Sequence, residues 1–412
     1  MPPGEWVSEP FNMTHNMTLY LEEGAQLRPK NMPFNDWPIL QPLPSYGTGR
    51  DGHPQRYASF VQGFDLVNVR IVGKNGTIDG NGEKWWAAHN EKRLKSSRGH
   101  LFECVNCTNV VIKNVTWKNA PFWTIHPIYS KNVRISHTTI LNPHDSPNTD
   151  GIDPDSSTHV SIANSYISTG DDGIAIKSGW ACVGKQYGKP SNHIRITNVT
   201  VISPTSAGVC IGSEMAGGVA NVFVSQLTAV ACDTGVRIKT NTFSGPNAVE
   251  NVTVVDSSLD NITGAAIKID PFFGDNQQTC GQKRMLPIVK NVKFARIAGK
   301  HITGRSFIMA GYIDRPFERI VLRNIKFDGK PAKCYYGLRG DAKNVTPTLP
   351  NQCGMTPPTH SSATMVWDAA VACNPRKTPV GVAIIAERCN VFPIVVIALA
   401  AAGIVLICVR GF

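Results

Sequence analysis

Asn132-Val-Arg-Ile135 is one copy of a short unit that recurs along the chain: a polar residue, Val or Ile, any residue, then another apolar residue. Further copies start at Asn109, His159, His193, Asn221, Asn251, Asn291 and Arg319. From Val110 onward the second residues step by 23, 27, 34, 28, 30, 40 and 28. A period in the twenties to thirties, stretched by insertions, marks a solenoid. Each repeat holds short strands with apolar residues at alternate positions, as in IRITNVTV at 194–201. No long stretch before the C-terminal region has a helical period, and the strands are too short and too often interrupted for alternating strand–helix units. The pattern predicts an all-β fold of stacked coils, a parallel β-helix. Val and Ile would fill its interior; Asn and Gly would make its corners. A β-sandwich would not explain why the same four-residue register returns.

The 412 residues are long for one compact core, but a solenoid grows along one axis. A formal charge of +11 favours a polyanionic partner. No block of Lys and Arg alternates with aromatics, so nucleic acid is not expected. An acidic polysaccharide or an anionic membrane remains. None of the 11 cysteines has a convincing zinc spacing; Cys104 and Cys107 lack a matching second half. Nine N-x-[ST] sequons with many cysteines suggest secretion, disulfides and glycans. The first residues, MPPGEWVSEPF, have no basic or long apolar run of a secretory leader, which predicts that the chain starts inside a structured segment. Residues 391–409 form an uncharged apolar run between Arg388 and Arg410, close to the roughly 20 residues that span a bilayer. A transmembrane anchor, a lipid-anchor signal and a buried helix are the readings open there. The expected divisions are 1–60, a cap of the solenoid; 61–330, the coils; 331–388, an irregular Cys/Pro/Thr-rich tail; and 391–409, the anchor.

Two stretches concentrate acid: NTDGIDPDSS at 148–157 and TGDDG at 169–173. Coils stack at about 4.8 Å, so residues one coil apart lie over one another. Asp150 and Asp172 are separated by about one short coil, and Asp171 adjoins Asp172. All three can reach one external patch. Arg237 and Lys239 follow on later rungs and, two apart, share a strand face. A glycosidic bond is cleaved by one carboxylic acid protonating the leaving oxygen and another carboxylate acting from the far side. Crowding keeps one member protonated. Nearby cations would hold an acidic sugar. The plain alternatives are Asx-turns at coil corners, a Ca²⁺ site from Asp150, Asp153 and Asp155, and a solvated Arg-Ile-Lys strand face. Neither a metal nor a cofactor is expected.

Asn148-Thr-Asp150, Gly170-Asp-Asp172 and Arg237-Ile-Lys239, in this order in a repeat-rich β chain, resemble the polygalacturonases, the pectin-cleaving glycoside hydrolases of family 28. The strings at 148–157, 174–180, 212–215 and 77–86 look like the plant-type and exo-acting branches. The resemblance spans roughly residues 2–345. It implies a right-handed, single-stranded parallel β-helix and inverting, metal-free hydrolysis of α-1,4-galacturonosidic bonds outside the cell or in the wall. Asp171 matches the general acid, Asp150 and Asp172 the carboxylates that activate water, and Arg237 and Lys239 the binders of the sugar carboxylate. One departure stands out: the family's usual Gly-His-Gly falls on Ser206-Ala-Gly208, where no His is present. His126 and His144 are the candidates to approach in space. The insertion at 179–192 resembles one that closes the cleft in exo-acting members. Lys177 and Glu214 are then further candidate substrate contacts, or ordinary surface charges. Competing functions are a rhamnogalacturonan hydrolase, a pectate lyase using a base and Ca²⁺, and a pectin-binding wall protein without turnover. A monomer with an acidic polysaccharide partner, wall-located and anchored through 391–409, is the expectation.

Overall fold

The computed structural model describes residues 1–48, 53–274 and 284–356. They build a right-handed, single-stranded parallel β-helix. One parallel sheet runs the length of the described solenoid, from Gly4–Ser8 to Met355–Thr356. A second face is made of a four-stranded and a six-stranded sheet, with bridges from Ile152 and Asp155 between them. The exception to parallel pairing among the described strands is the short pair Ile39–Leu40 and Arg56–Tyr57.

The register follows the four-residue unit. Val110 pairs with Val133, Val133 with Val160, Val160 with Ile194 and Ile194 with Val222. The same row continues through Val252 and Val292 to Ile320. These side chains are at most 3% exposed and form the central stripe of the core. Fully burying each contributes about 1.5–3 kcal/mol. A one-residue slip would turn the whole stripe outward, so the pattern fixes the register.

The polar residue that opens each unit is a corner. Asn109, Asn132, His159, His193, Asn221, Asn251, Asn291 and Arg319 all have φ between 53° and 61°. Asn tolerates this left-handed conformation better than most residues. Stacking then links the corner amides: Asn132 donates to Asn109 at 3.1 Å, Asn251 to Asn221 at 3.1 Å and Asn291 to Asn251 at 2.9 Å. Where the corner is His159 and His193, the rings stack instead, 4.8 Å apart and 3° from parallel.

Strands before residue 60 and after residue 330 belong to the same long sheet: Ala25–Pro29 pairs at one end and Leu338–Thr346 at the other. Cys104 and Cys107 form a disulfide rather than half a metal site, and Cys334–Cys353 ties the last described coil. Among the described residues no helix is long and apolar enough to cross a membrane; the run at 391–409 lies outside them.

Candidate active site

The site forms where the 148–155 and 169–173 loops meet the six-stranded sheet. A column of glycines brings these coils together. A Cβ on Gly151 would lie 2.5 Å from the Gly173 carbonyl oxygen, and one on Gly173 2.7 Å from that of Gly208. None of the three has a positive φ. Glycine is required there by close approach, not by a left-handed turn.

Asp150, Asp171 and Asp172 each place a carboxylate oxygen within 4.8 Å of the others. The coil spacing read from the sequence thus brings all three together. Asp150 and Asp172 are buried, whereas Asp171 is partly exposed. Burial first, then the charge of Asp171, lifts Asp150 to a pKa of about 7, despite the opposing Lys177. Asp172 goes the other way. Burial would raise it, but Lys239 at 2.5 Å, Lys177 and the Ser206 hydroxyl outweigh that and hold it below the usual carboxylate range. Asp171 accepts from Asn148 Nδ2 at 3.3 Å and from the Asp172 amide at 2.8 Å. Asn148 is itself fixed by Arg98, whose guanidinium donates to Asn148 Oδ1 at 2.8 Å. One patch therefore contains a carboxyl that keeps its proton to near-neutral pH, a carboxylate held ionised, and a third facing solvent.

Arg237 and Lys239 share the outer face of Thr234–Lys239, while Val236 and Ile238 point into the core. Both cations lie over the Phe273 ring, at 4.6 Å and 5.1 Å. Arg237 is paired with Asp270 at 2.7 Å, yet its buried Nε has no hydrogen-bond partner.

Lys177 and Glu214 are neither surface charges nor open to solvent. Lys177 is 3% exposed and lies 3.0 Å from Glu214, 3.5 Å from Asp150 and 3.5 Å from Asp153. Its ammonium also sits 4.2 Å from the Trp123 ring centroid. It is an internal cation that gathers three buried acids, Asp150 of the patch together with Asp153 and Glu214. Asp153, fully buried with neither carboxylate oxygen hydrogen-bonded, is pushed well up by burial and by Asp150. Asp155 turns the other way and accepts from Tyr46, His126 and the Gly179 amide. His126 is buried between Asp155 and Glu103, and His144 bonds Ser168, so neither contacts the three acids. Where His was expected, Ser206 Oγ donates to Asp172 at 2.6 Å. Cys210, unnoticed in the sequence because a lone cysteine between apolar residues reads as core, places its thiol 3.0 Å from Asp172.

On the N-terminal side of the acids, a pocket is lined by Leu43, Tyr46, Arg56, Arg98, His100 and Trp123 among others. Arg98 and Trp123 connect it to the acid patch through Asn148 and Lys177. Pro42, Leu43 and Tyr46 form one side of the pocket, and Ser45 among them is held on Tyr129 and on the Trp180 amide.

Residues 49–340 match the family described as glycosyl hydrolases family 28. A probable polygalacturonase of Vitis vinifera is 35% identical over 362 residues, 85% of this chain and 73% of that one. Polygalacturonase-2 of Solanum lycopersicum is 30% identical over 69% of this chain and 62% of its own length. The crystal structure of a hyperthermoactive exopolygalacturonase from Thermotoga maritima superposes with a TM-score of 0.73 at 25% identity, covering 84% of this chain and 82% of that one. A family match over most of the chain, carried by a β-helix with three clustered acids, establishes that the chain belongs to glycosyl hydrolases family 28.

Proposed function

We propose that the protein hydrolyses the α-1,4-galacturonosidic bonds of pectic polygalacturonate by single displacement. The observation that carries this is the cluster of Asp150, Asp171 and Asp172 with Lys239 on Asp172 and Arg237 beside Lys239, two rungs on from Ile174–Ile176. Asp171, the most accessible of the acids, is the donor to the leaving oxygen. Asp172, fixed and ionised, takes the proton of the attacking water, with Asp150 beside it. In the free protein Asp150, lifted by burial and by Asp171, keeps its proton to near-neutral pH. The guanidinium of Arg237, held by Asp270, is the group that receives the sugar carboxylate. Lys239, which is clamped on Asp172, tunes that acid more than it binds substrate.

The acid spacing is shorter than the roughly 6.5–9.5 Å of a two-carboxylate inverting pair. Inversion therefore requires the water to be held by Asp150 and Asp172 jointly rather than in a gap between two residues. The acting site lies outside the cell, in the wall. The test is incubation with polygalacturonate and with rhamnogalacturonan. Short saturated products from the first support the reading. Unsaturated ends, or products from the second alone, overturn it.

A further inference from the structure

The loop that carries Asp171 and Asp172 is clasped by three hydroxyls from one turn. Ser203 Oγ donates to the Asp171 carbonyl at 2.7 Å, Thr205 Oγ1 to the Gly170 carbonyl at 2.5 Å and Ser206 Oγ to the Asp172 carboxylate at 2.6 Å. The Ala207 amide reaches the same carboxylate oxygen, Oδ1, at 3.1 Å. The other oxygen, Oδ2, receives Lys239 at 2.5 Å and the Cys210 thiol at 3.0 Å. Cys210 is buried and not in a disulfide. Four donors saturate one carboxylate, while Asp171 next to it receives two. The charged and titratable groups around Asp172 are Lys239, Lys177, Asp150, Asp153, Asp171, Cys210 and Cys232. Three of these are carboxyl groups that would drive a proton onto Asp172 if its donors were removed.

We propose that Ser206 and Cys210 are positioning residues which hold the Asp172 carboxylate in place, a hydroxyl and a thiol orienting this acid in a chain that has no His at 206–208. A serine hydroxyl does not titrate in the range where carboxylates do. The donor is therefore present at every working pH, and orientation of Asp172 does not depend on the charge state of a histidine. Asp171, with fewer donors, is less firmly held than its neighbour.

The inference rests on the hydrolase reading for its kinetic test, so a second readout is independent of it. In the full chain, Ser206→Ala is expected to lower kcat about tenfold and to move the acid limb of the kcat profile up by about one pH unit, as loss of a hydrogen bond to the charged form requires. KM is expected to stay within about twofold, because the interaction removed does not bind substrate. Ser206→Thr, which keeps the hydroxyl, retains the native limb; Cys210→Ala moves it less, since a thiol is the weaker donor. A Ser206→Ala enzyme with the native acid limb and kcat would overturn the proposal. Carboxylate ¹³C NMR of the ligand-free protein reads the same property directly: Asp172 titrates higher in Ser206→Ala than in the native chain. An unmoved Asp172 resonance refutes the positioning role whether or not polygalacturonate is cleaved. Absence of cleavage by the native chain would refute the hydrolase reading alone.

Discussion

At Asp150 the catalytic requirement and stability are in conflict. Its pKa is raised to about 7 by burial and by Asp171, so the native state holds a proton that the unfolded chain releases near the ordinary carboxylate value. The folded state therefore binds the extra proton between about pH 4 and 7, and stability falls as pH rises through that window. The full cost above it is on the order of 4 kcal/mol. Asp150→Asn is expected to be nearly inactive, yet to unfold at a higher temperature than the native protein at pH 8, with little difference near pH 4; thermal melts at both values decide this. Lys177 is the opposite case. Removing it by Lys177→Met leaves Asp150, Asp153 and Glu214 facing one another, and should destabilise the protein by about 3–5 kcal/mol at pH 7. A chemical-denaturation midpoint unchanged from native would contradict that. The stacking of Asp150 over Asp172 was legible in the sequence because their separation is about one short coil and no insertion falls between them. The burial of Lys177 and Glu214 was not, because a charged residue after an apolar strand reads equally well as surface. Glu103, His126 and Asp155, and the Tyr46 that closes on them, lie up to 109 residues apart and show no shared spacing.

The element that organises the molecule is the corner rather than the strand. Asn221 has φ 56°, donates to Asn192 at 2.9 Å and accepts from Asn251 at 3.1 Å. Asn221→Ala loses both bonds and places a Cβ-bearing, non-bonding residue in the left-handed region, at a cost of about 1–3 kcal/mol. Asn221→Gly loses the bonds but not the conformational fit and should cost less. Equal losses in urea denaturation would show that backbone conformation contributes nothing there. The corner pattern explains why the fold was readable: each unit pairs a residue that tolerates positive φ with two alternating apolar residues, and both halves of the signal are local. Coil lengths were less readable. The insertion at 179–192 forms a short helix, Ala181–Tyr187, and its neighbour Trp180 meets Ser45, a contact 135 residues away that no local rule anticipates.

Over the whole molecule, an excess of 11 positive charges and a cationic strand face beside buried acids suit a substrate that is a polyanion. KM for polygalacturonate is expected to rise severalfold as NaCl increases from about 0.05 to 0.5 M, with kcat nearly constant, because screening weakens association and not the buried chemistry. A flat salt dependence would remove long-range charge from the account. The central claim is that Asp171 protonates the leaving oxygen while water attacks from the opposite side of the ring. Time-resolved ¹H NMR of polygalacturonate during cleavage tests it most directly, run with the native chain and with Asp171→Asn. New reducing ends are expected to appear first as the β-anomer, and Asp171→Asn to slow their appearance by at least about a thousandfold. An initial α-anomer, or an Asp171→Asn protein that cleaves at the native rate, would contradict it.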